Sequence, residues 1–395
     1  MSSSFTPKQS ARCHGREQLA AALRQSRARL LALVRDLDDA QWRMPPARGV
    51  NPVAWEIAHV AWFAEFWILR GPHRLGEDGL VYAARPPLHA GPDAVLDSAR
   101  LAHAARWSAR LPSRGDALAM LDAQLAACLE ALAASAGDDA SLYFYRLSLF
   151  HEDMHCEALA WMRAALAYPA PAGAELPRLA ATPPVRMEAG EALIGWPERE
   201  PGFAFDNEMP GRRVPLGAFE IDAVPVTAGE FLGFVEAGGY DDPGFWPGEG
   251  GRWRAAAGRR HPGRWRRAAS GWESRWFDRW RPLDPLQPVI HVNAWEAEAY
   301  CRWSGRRLPR AAEREVAAPR LQWGGSVWEW TADPFEPYPG FAPGPYRDYS
   351  RPWFTSHREL RGGAFATDPR MHHPRYRNFF EPDRTDIFAG FRTAL

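Results

Sequence analysis

The sequence predicts two architectures in one chain: a four-helix bundle followed by an irregular α+β domain. Three observations predict this. Before about residue 170, Ala, Leu and Arg dominate and apolar residues recur at helical spacing, whereas after it Gly, Pro and Trp dominate and long helical periods vanish. Between the two lies Tyr168-Pro-Ala-Pro-Ala-Gly173, which reads as a linker. A chain of 395 residues also exceeds what one ordinary core holds. The expected domains are residues 1–170 and 171–395.

Each element has its own signal. A first helix is expected over residues 16–37. A second begins at Asn51-Pro52, a capping residue followed by proline at the first helical position, and stops at Gly71-Pro72. A third is expected over 115–135 and a fourth over 141–168. Four helices with one apolar stripe each are the material of a bundle. In the second domain, short extended segments are broken by Gly and Pro, and one helix is expected, over 293–304.

Composition bounds the function. With 46% hydrophobic and 24% charged residues the chain is globular, and its 19 Trp point to loops held by aromatic packing. Lys plus Arg and Asp plus Glu both number 48, so nothing draws the chain as a whole to nucleic acid or to an anionic membrane. The Arg- and Trp-rich stretch 252–281 is the one place where single strands could bind, and the neutral balance argues against it. Cys13, Cys128, Cys156 and Cys301 show neither CxxC pairing nor a disulfide framework. Residues 1–18 lack an apolar signal core, and no run of about 18 apolar residues is expected to span a membrane. The expectation is a reduced, cytoplasmic protein with neither nucleic-acid nor membrane partners.

The chemistry-bearing residues of the bundle are histidines. Trp55, His59, Trp62 and Phe66 share one face of the second helix, so His59 points inward. On the fourth helix Phe144, Leu147, His151, His155, Ala158 and Met162 follow the same logic, with the two histidines stacked one turn apart. One buried histidine is as readily structural as functional. Three on two inward faces can place three nitrogens around one metal and leave positions open. Imidazole suits Fe, Zn, Cu and Ni alike, so the residues leave the metal open. Glu152 and Glu157 read as solvated or ligand-supporting groups, and Cys156 points off the histidine face.

The second domain carries more specific segments: Pro288-Val-Ile-His-Val-Asn293 leading into the 293–304 helix, Gly325-Ser-Val-Trp-Glu-Trp-Thr331, Arg361-Gly-Gly-Ala-Phe365 and Gly390-Phe-Arg392. These resemble formylglycine-generating-enzyme-type domains, which implies an irregular C-type-lectin-like fold. The fold also occurs in binding modules and so implies no chemistry by itself. The copper-binding cysteines of that family have no counterpart, since Cys301 is the domain's only cysteine. A histidine-bearing bundle before such a domain resembles the ergothioneine-type non-haem iron sulfoxide synthases, whose bundle is of the DinB type. The resemblance implies O2-dependent C–S or C–Se bond formation on the imidazole of hercynine. On Glu56-Ile-Ala-His59 and His151-Glu-Asp-Met-His155 it implies His59, His151 and His155 as Fe(II) ligands. It also implies a catalytic role for Tyr349, twelve residues before Arg361, as a proton or hydrogen-bond donor in the oxidation. In Tyr376-Arg-Asn-Phe-Phe380, Asn378 would bind the betaine carboxylate and Phe379 would face the trimethylammonium.

The departures from that family concern the chalcogen donor. Phe380 stands where the γ-glutamylcysteine enzymes have an acidic donor contact, and Met154 where a substrate-binding Gln is common. The stretch 81–97 does not match the family's donor-binding segment, and Arg85 is its one arginine. Loss of a carboxylate and an arginine disfavours a zwitterionic peptide. In these departures the sequence is most like the selenoneine synthases, whose donor is a selenosugar; cysteine or γ-glutamylcysteine is the alternative. A non-catalytic lectin-like binding protein and a zinc-dependent thiol transferase are the readings of other classes.

Overall fold

A computed structural model gives the protein's structure, described for residues 10–89 and 91–395. Of these, residues 10–162 with 201–203 form one compact unit, and 163–200 with 204–395 form another.

The first unit is built on α1 (Arg16–Val34), α2 (Val53–Ala64), α3 (Arg114–Ala134) and α4 (Asp139–Ala165). Leu19 and Leu23 of α1, Leu132 of α3, and Leu142, Tyr145 and Leu149 of α4 close one apolar cluster. Two sequence expectations change here. The second helix starts at Val53 with Pro52 at the cap, because the Asn51 side chain donates to Glu56 Oε1 at 2.5 Å instead of capping the helix. Nor does α2 carry a single apolar stripe: all its residues are buried, as befits a helix enclosed on every side. It runs on into a π-helical turn, Glu65–Leu69, a distortion often found at functional sites. Among the described residues α3 is the one helix long and apolar enough to cross a membrane, where no such run was expected. It carries Asp122 and Glu130, and buries Leu121, Gln124, Cys128 and Leu132 while packing on α1 and α2.

In the second unit the expected helix is α6 (Ala294–Trp303). A capping box starts it: Asn293 Oδ1 accepts from Glu296 N at 2.9 Å and Glu296 Oε2 from Asn293 N at 2.8 Å. It is not alone. Helices α5 (Ala228–Glu236) and α7 (Ala311–Ala317), and a further helix at Gly248–Ala257, accompany it. A four-stranded sheet organises the unit, formed by β1 (Trp328–Pro334), β2 (Arg358–Gly362), β3 (Asn378–Phe380) and β4 (Ala389–Phe391) in the order β3-β2-β1-β4. The separate sequence motifs thus become neighbours. Glu329 pairs with Arg361 on the antiparallel strand β2 and with Gly390 on the parallel strand β4, and Leu360 pairs with Asn378.

The sheet explains the motif residues. Trp328 and Trp330 are fully buried, and the Trp330 indole donates to the Val292 carbonyl at 2.9 Å. Glu329, on the opposite face, takes Arg314 Nε at 2.5 Å and Arg392 Nε at 2.6 Å on one oxygen. Glu359 takes Arg361 Nε at 2.6 Å and Arg377 Nη2 at 2.7 Å. Gly362 has φ +102°, and a Cβ there would sit 3.2 Å from Glu329 Oε1. At Gly390 a Cβ would stand 2.2 Å from the Val289 carbonyl oxygen, so only glycine allows that approach.

A three-histidine cluster as candidate metal centre

His59 on α2 and His151 and His155 on α4 meet inside the first unit, with one ligand nitrogen of each within 4.8 Å of the others. Helical spacing sets two of them one turn apart, and packing of α2 beside α4 supplies the third. His155 Nε2 lies 3.2 Å from His151 Nε2. Aromatic rings fix the ring planes: Trp55 stacks on His59 at 4.5 Å, and Phe63 lies flat on His151 at 3.5 Å.

The outward nitrogens are tied to acceptors. His59 Nδ1 meets the Leu96 carbonyl at 2.6 Å, and His155 Nδ1 bonds the Glu56 carboxylate. A carbonyl or carboxylate only accepts, so both Nδ1 atoms carry the hydrogen, and in the neutral rings Nε2 keeps its lone pair. Glu56 is held in turn by Asn51, whose Oδ1 accepts from Arg106 Nη1 at 2.7 Å. The Arg106 guanidinium also lies 3.7 Å over the Trp55 ring. The segment after α2 clamps its histidine face along a row. The Val95 carbonyl takes the Trp55 indole at 3.0 Å, Leu96 takes His59, and Asp93 Oδ1 takes the Trp62 indole at 2.8 Å. Asp93 is itself gripped by the Arg70 fork at 2.7 and 3.0 Å, and the Glu65 carboxylate of the π-turn accepts from Leu88 and His89 N–H.

Electrostatics favour neutral imidazoles at His59 and His151. Burial, then His155, push His59 down to about 3 against the pull of the Leu96 carbonyl and Glu56. Burial, then His155 and His59, hold His151 well below its ordinary value. Burial alone would raise the Glu56 carboxyl, but His155 and the Asn51 hydrogen bond outweigh it and keep the group ionised. A first-row ion takes imidazole nitrogen at about 2.1 Å, so two ligands at 90–110° stand about 3.0–3.4 Å apart. The 3.2 Å His151–His155 separation fits that range, and the donor set, three imidazoles with supported Nδ1–H groups, suits a metal ion.

The other expected residues fall as follows. Met154 is half-buried on α4 between the two histidines. Glu152 is not solvated: it is buried in an ion pair with Arg27 Nε of α1 at 3.0 Å. Glu157 is half-buried, and Cys156 is buried with its Sγ towards the Ser26 carbonyl, off the histidine face. The Arg85 guanidinium donates to the Leu69 carbonyl at 3.2 Å. In the second unit the half-buried Tyr349 hydroxyl lies 3.2 Å from that of Tyr376, and its ring stacks on Phe205 at 4.6 Å. Burial, then Tyr376, raise the Tyr349 phenol well above its ordinary value, so it stays protonated. Phe379 stacks on Phe335 at 4.1 Å and approaches Tyr349 at 5.8 Å. Strand alternation turns Asn378 and Phe380 to the face of β3 opposite Phe379, where the Arg384 guanidinium lies 5.3 Å over Phe380. Sequence reasoning missed Glu56, Asn51, Arg106 and Asp93. Glu56 alone left a signal, three residues before His59 on the same helix face.

Comparison with known proteins follows the same division. Residues 22–165 match the DinB superfamily, and residues 171–322 and 320–395 match the sulfatase-modifying factor enzyme 1-like domain. Fold and site therefore define a class in which a histidine-bearing DinB bundle precedes a sulfatase-modifying-factor domain. The chain is 33% identical to the hercynine oxygenase of Mycobacterium tuberculosis, over 96% of this chain and 98% of that one. It is 31% identical to the hercynine oxygenase of Mycolicibacterium smegmatis, over 96% and 99%. It is 26% identical to ergothioneine biosynthesis protein 1 of Schizosaccharomyces pombe, over 48% of this chain and 27% of the other. The chain belongs to the hercynine oxygenase family.

Proposed function

We propose that the protein is a non-haem Fe(II) oxidoreductase that uses O2 to form a C–Se bond on the imidazole of hercynine, with a selenosugar as donor. One observation carries the reading: three imidazoles, those of His59 and His151 buried and that of His155 half-buried, converge from two helices in a member of the hercynine oxygenase family. O2 is a sufficient oxidant. Imidazole C–H and donor Se–H are lost, C–Se forms, one oxygen atom goes to selenium and the other leaves as water with both hydrogens. His59, His151 and His155 would hold the iron, which when bound activates O2 and ligates the chalcogen.

The protein's own groups do the rest. The domain over 1–170 carries the iron ligands and the domain over 171–395 the substrate and catalytic loops. Tyr349, kept protonated, serves as proton or hydrogen-bond donor in the oxidation. Phe379, on the Tyr349 side of β3, offers its ring to the quaternary ammonium, whereas the expected carboxylate contact of Asn378 does not accompany it, because Asn378 lies on the other face of the strand. Phe380 and Met154 are apolar, which suits a donor bearing hydroxyls better than one bearing two carboxylates and an ammonium. Each charged group left unpaired on burial costs on the order of a few kcal/mol. The sulfur reading, with cysteine or γ-glutamylcysteine, is supported by the name of the ergothioneine biosynthesis relative.

The test is competition between a selenosugar, cysteine and γ-glutamylcysteine with excess hercynine and O2, read by mass spectrometry. The selenosugar product should dominate, with the cysteine product second. A dominant γ-glutamylcysteine conjugate overturns the donor assignment, and iron-free protein with no conjugate of any kind overturns the enzyme. Tyr349→Phe should keep iron and hercynine affinity while lowering product formation by about 10²-fold. An unchanged rate removes Tyr349 from the mechanism.

A further inference from the structure

We infer that the second unit carries a separate ligand site, a cavity that binds a small oxyanion between Arg264 and Arg275. The cavity holds about 280 Å³, roughly nine waters' share of liquid volume. That is room for a phosphate or a short dicarboxylate. It shares no lining residue with the histidine cluster or the Tyr349 loop, so the inference stands independently of the proposed reaction.

Arg264 is 8% exposed, and among the described residues neither it nor Arg275 is paired with a carboxylate. Arg264 Nη1 donates to His291 Nε2 at 2.9 Å and Nη2 to the Asp386 carbonyl at 3.4 Å, while Arg275 Nη1 donates to the Phe277 carbonyl at 3.2 Å. These partners are neutral. A guanidinium taken out of water without an anion is costly, and a second cation in the same cavity adds repulsion. Burial, then Arg275, bring Arg264 down to about 9 against the pull of the Asp386 carboxylate.

The nearby carboxylates are committed elsewhere. Asp386 is forked onto Arg384 at 2.6 Å on both oxygens. Asp284 accepts from Arg178 Nε and Leu286 N, both at 3.1 Å. On the cavity wall the exposed Glu175 and the half-buried Asp284, the latter turned to Arg178, stand against Arg264, Arg275 and the exposed Arg281.

A second, independent observation is conformational. His291 holds Arg264 from a left-handed backbone, φ +63°. Its Nδ1 meets the Ile387 carbonyl at 2.9 Å, so Nδ1 carries the hydrogen and Nε2 must accept from Arg264. Non-glycine residues persist in this region where surroundings over-determine them, as in ligand clamps. The strained residue thus holds a buried guanidinium at the wall of a cavity that Ser274 also lines. Two arginine forks and a hydroxyl are the donor set for carboxylate or phosphate oxygens.

The experiment is calorimetric titration of the full chain with inorganic phosphate, and separately with succinate, at fixed ionic strength. Saturable one-to-one binding of either anion is expected. Arg275→Gln, half-buried and therefore tolerant of change, should weaken it tenfold or more with unchanged circular dichroism. Arg264→Gln should abolish it; if that variant does not fold, Arg275→Gln decides. Preference for phosphate assigns a phosphate ester as the natural ligand, and preference for succinate a carboxylate. Failure of both anions to saturate, or wild-type affinity in Arg275→Gln, overturns the site.

Discussion

The molecule buries polar side chains heavily in two places, and for opposite ends. In the second unit Glu329 and Glu359 are each saturated by two arginines, every partner internal, so the network is complete as folded. In the bundle, His59 and His155 tie their outer nitrogens to a carbonyl and a carboxylate, and the inner ones converge with that of His151, the His155 and His151 Nε2 atoms 3.2 Å apart. A complete network specifies a structure, whereas imidazoles gathered with inner nitrogens facing one another, two of them buried, specify a place for something else. Burial and polarity are the same in both regions; the difference lies in which lone pairs remain.

The contrast breaks most visibly at the ligands. On the proposed assignment, His59→Ala or His151→Ala should lose metal and product formation together, because two imidazoles would hold an ion far less well than three. Metal analysis of the folded variant checks this. Full occupancy in His59→Ala would mean that the cluster is as structural as the arginine network.

The next effect is on stability. Glu329→Gln leaves Arg314 and Arg392 buried without their anion, and removing one partner of such a set costs about 3–5 kcal/mol. Urea unfolding should register that loss. Although burial opposes it, Arg314 and Arg392 bring Glu329 from 4.5 to about 2 on folding. Since the folded value is the lower one, its contribution is fully present above pH 4.5 and is lost as pH falls towards 2. The shift corresponds to roughly 3 kcal/mol. Glu329→Gln should therefore flatten the stability profile between those pH values; an unchanged acid limb would place the charge elsewhere.

Legibility in the sequence follows the same line. The four bundle helices and the three histidines were readable because a 3.6-residue period determines which side chains share a face. The single expected helix of the second unit forms where it was expected, and the structure adds the box between Asn293 and Glu296 that starts it. Thr227 and Glu230 offered the same signature for α5, but α5 is short and the glycines around it obscured the period. What could not be read were pairings across long separations. Arg27 meets Glu152 from another helix, and Glu56 meets His155, so burial of those carboxylates depends on which helices adjoin. The sheet motifs were visible as words, yet their adjacency, Glu329 beside Arg361 and Gly390, came only with the register.

The smallest expected effect sharpens the comparison, because it applies the same chemical change to the other region. Glu56→Gln replaces a buried carboxylate with an amide of the same size. The glutamine oxygen can still accept from His155 Nδ1–H, while its NH2 would face the Asn51 Nδ2 donor and forfeit that one hydrogen bond; with no buried guanidinium left without its anion, the bundle should still lose less stability than the second unit loses in Glu329→Gln. What changes is charge. A carboxylate behind an imidazole fixes the tautomer and raises the basicity of the opposite nitrogen; removing such support typically weakens metal affinity by about 10- to 100-fold. The expected outcome is Fe(II) affinity about tenfold weaker by anaerobic chelator competition, with product formation largely recovered at saturating iron. One carboxylate-to-amide change would then register in the unfolding free energy at Glu329 and in the metal dissociation constant at Glu56. Unaltered affinity in Glu56→Gln would show that His155 needs no charged support, and equal destabilisation by the two substitutions would erase the distinction between a network that holds the fold and one that holds a ligand.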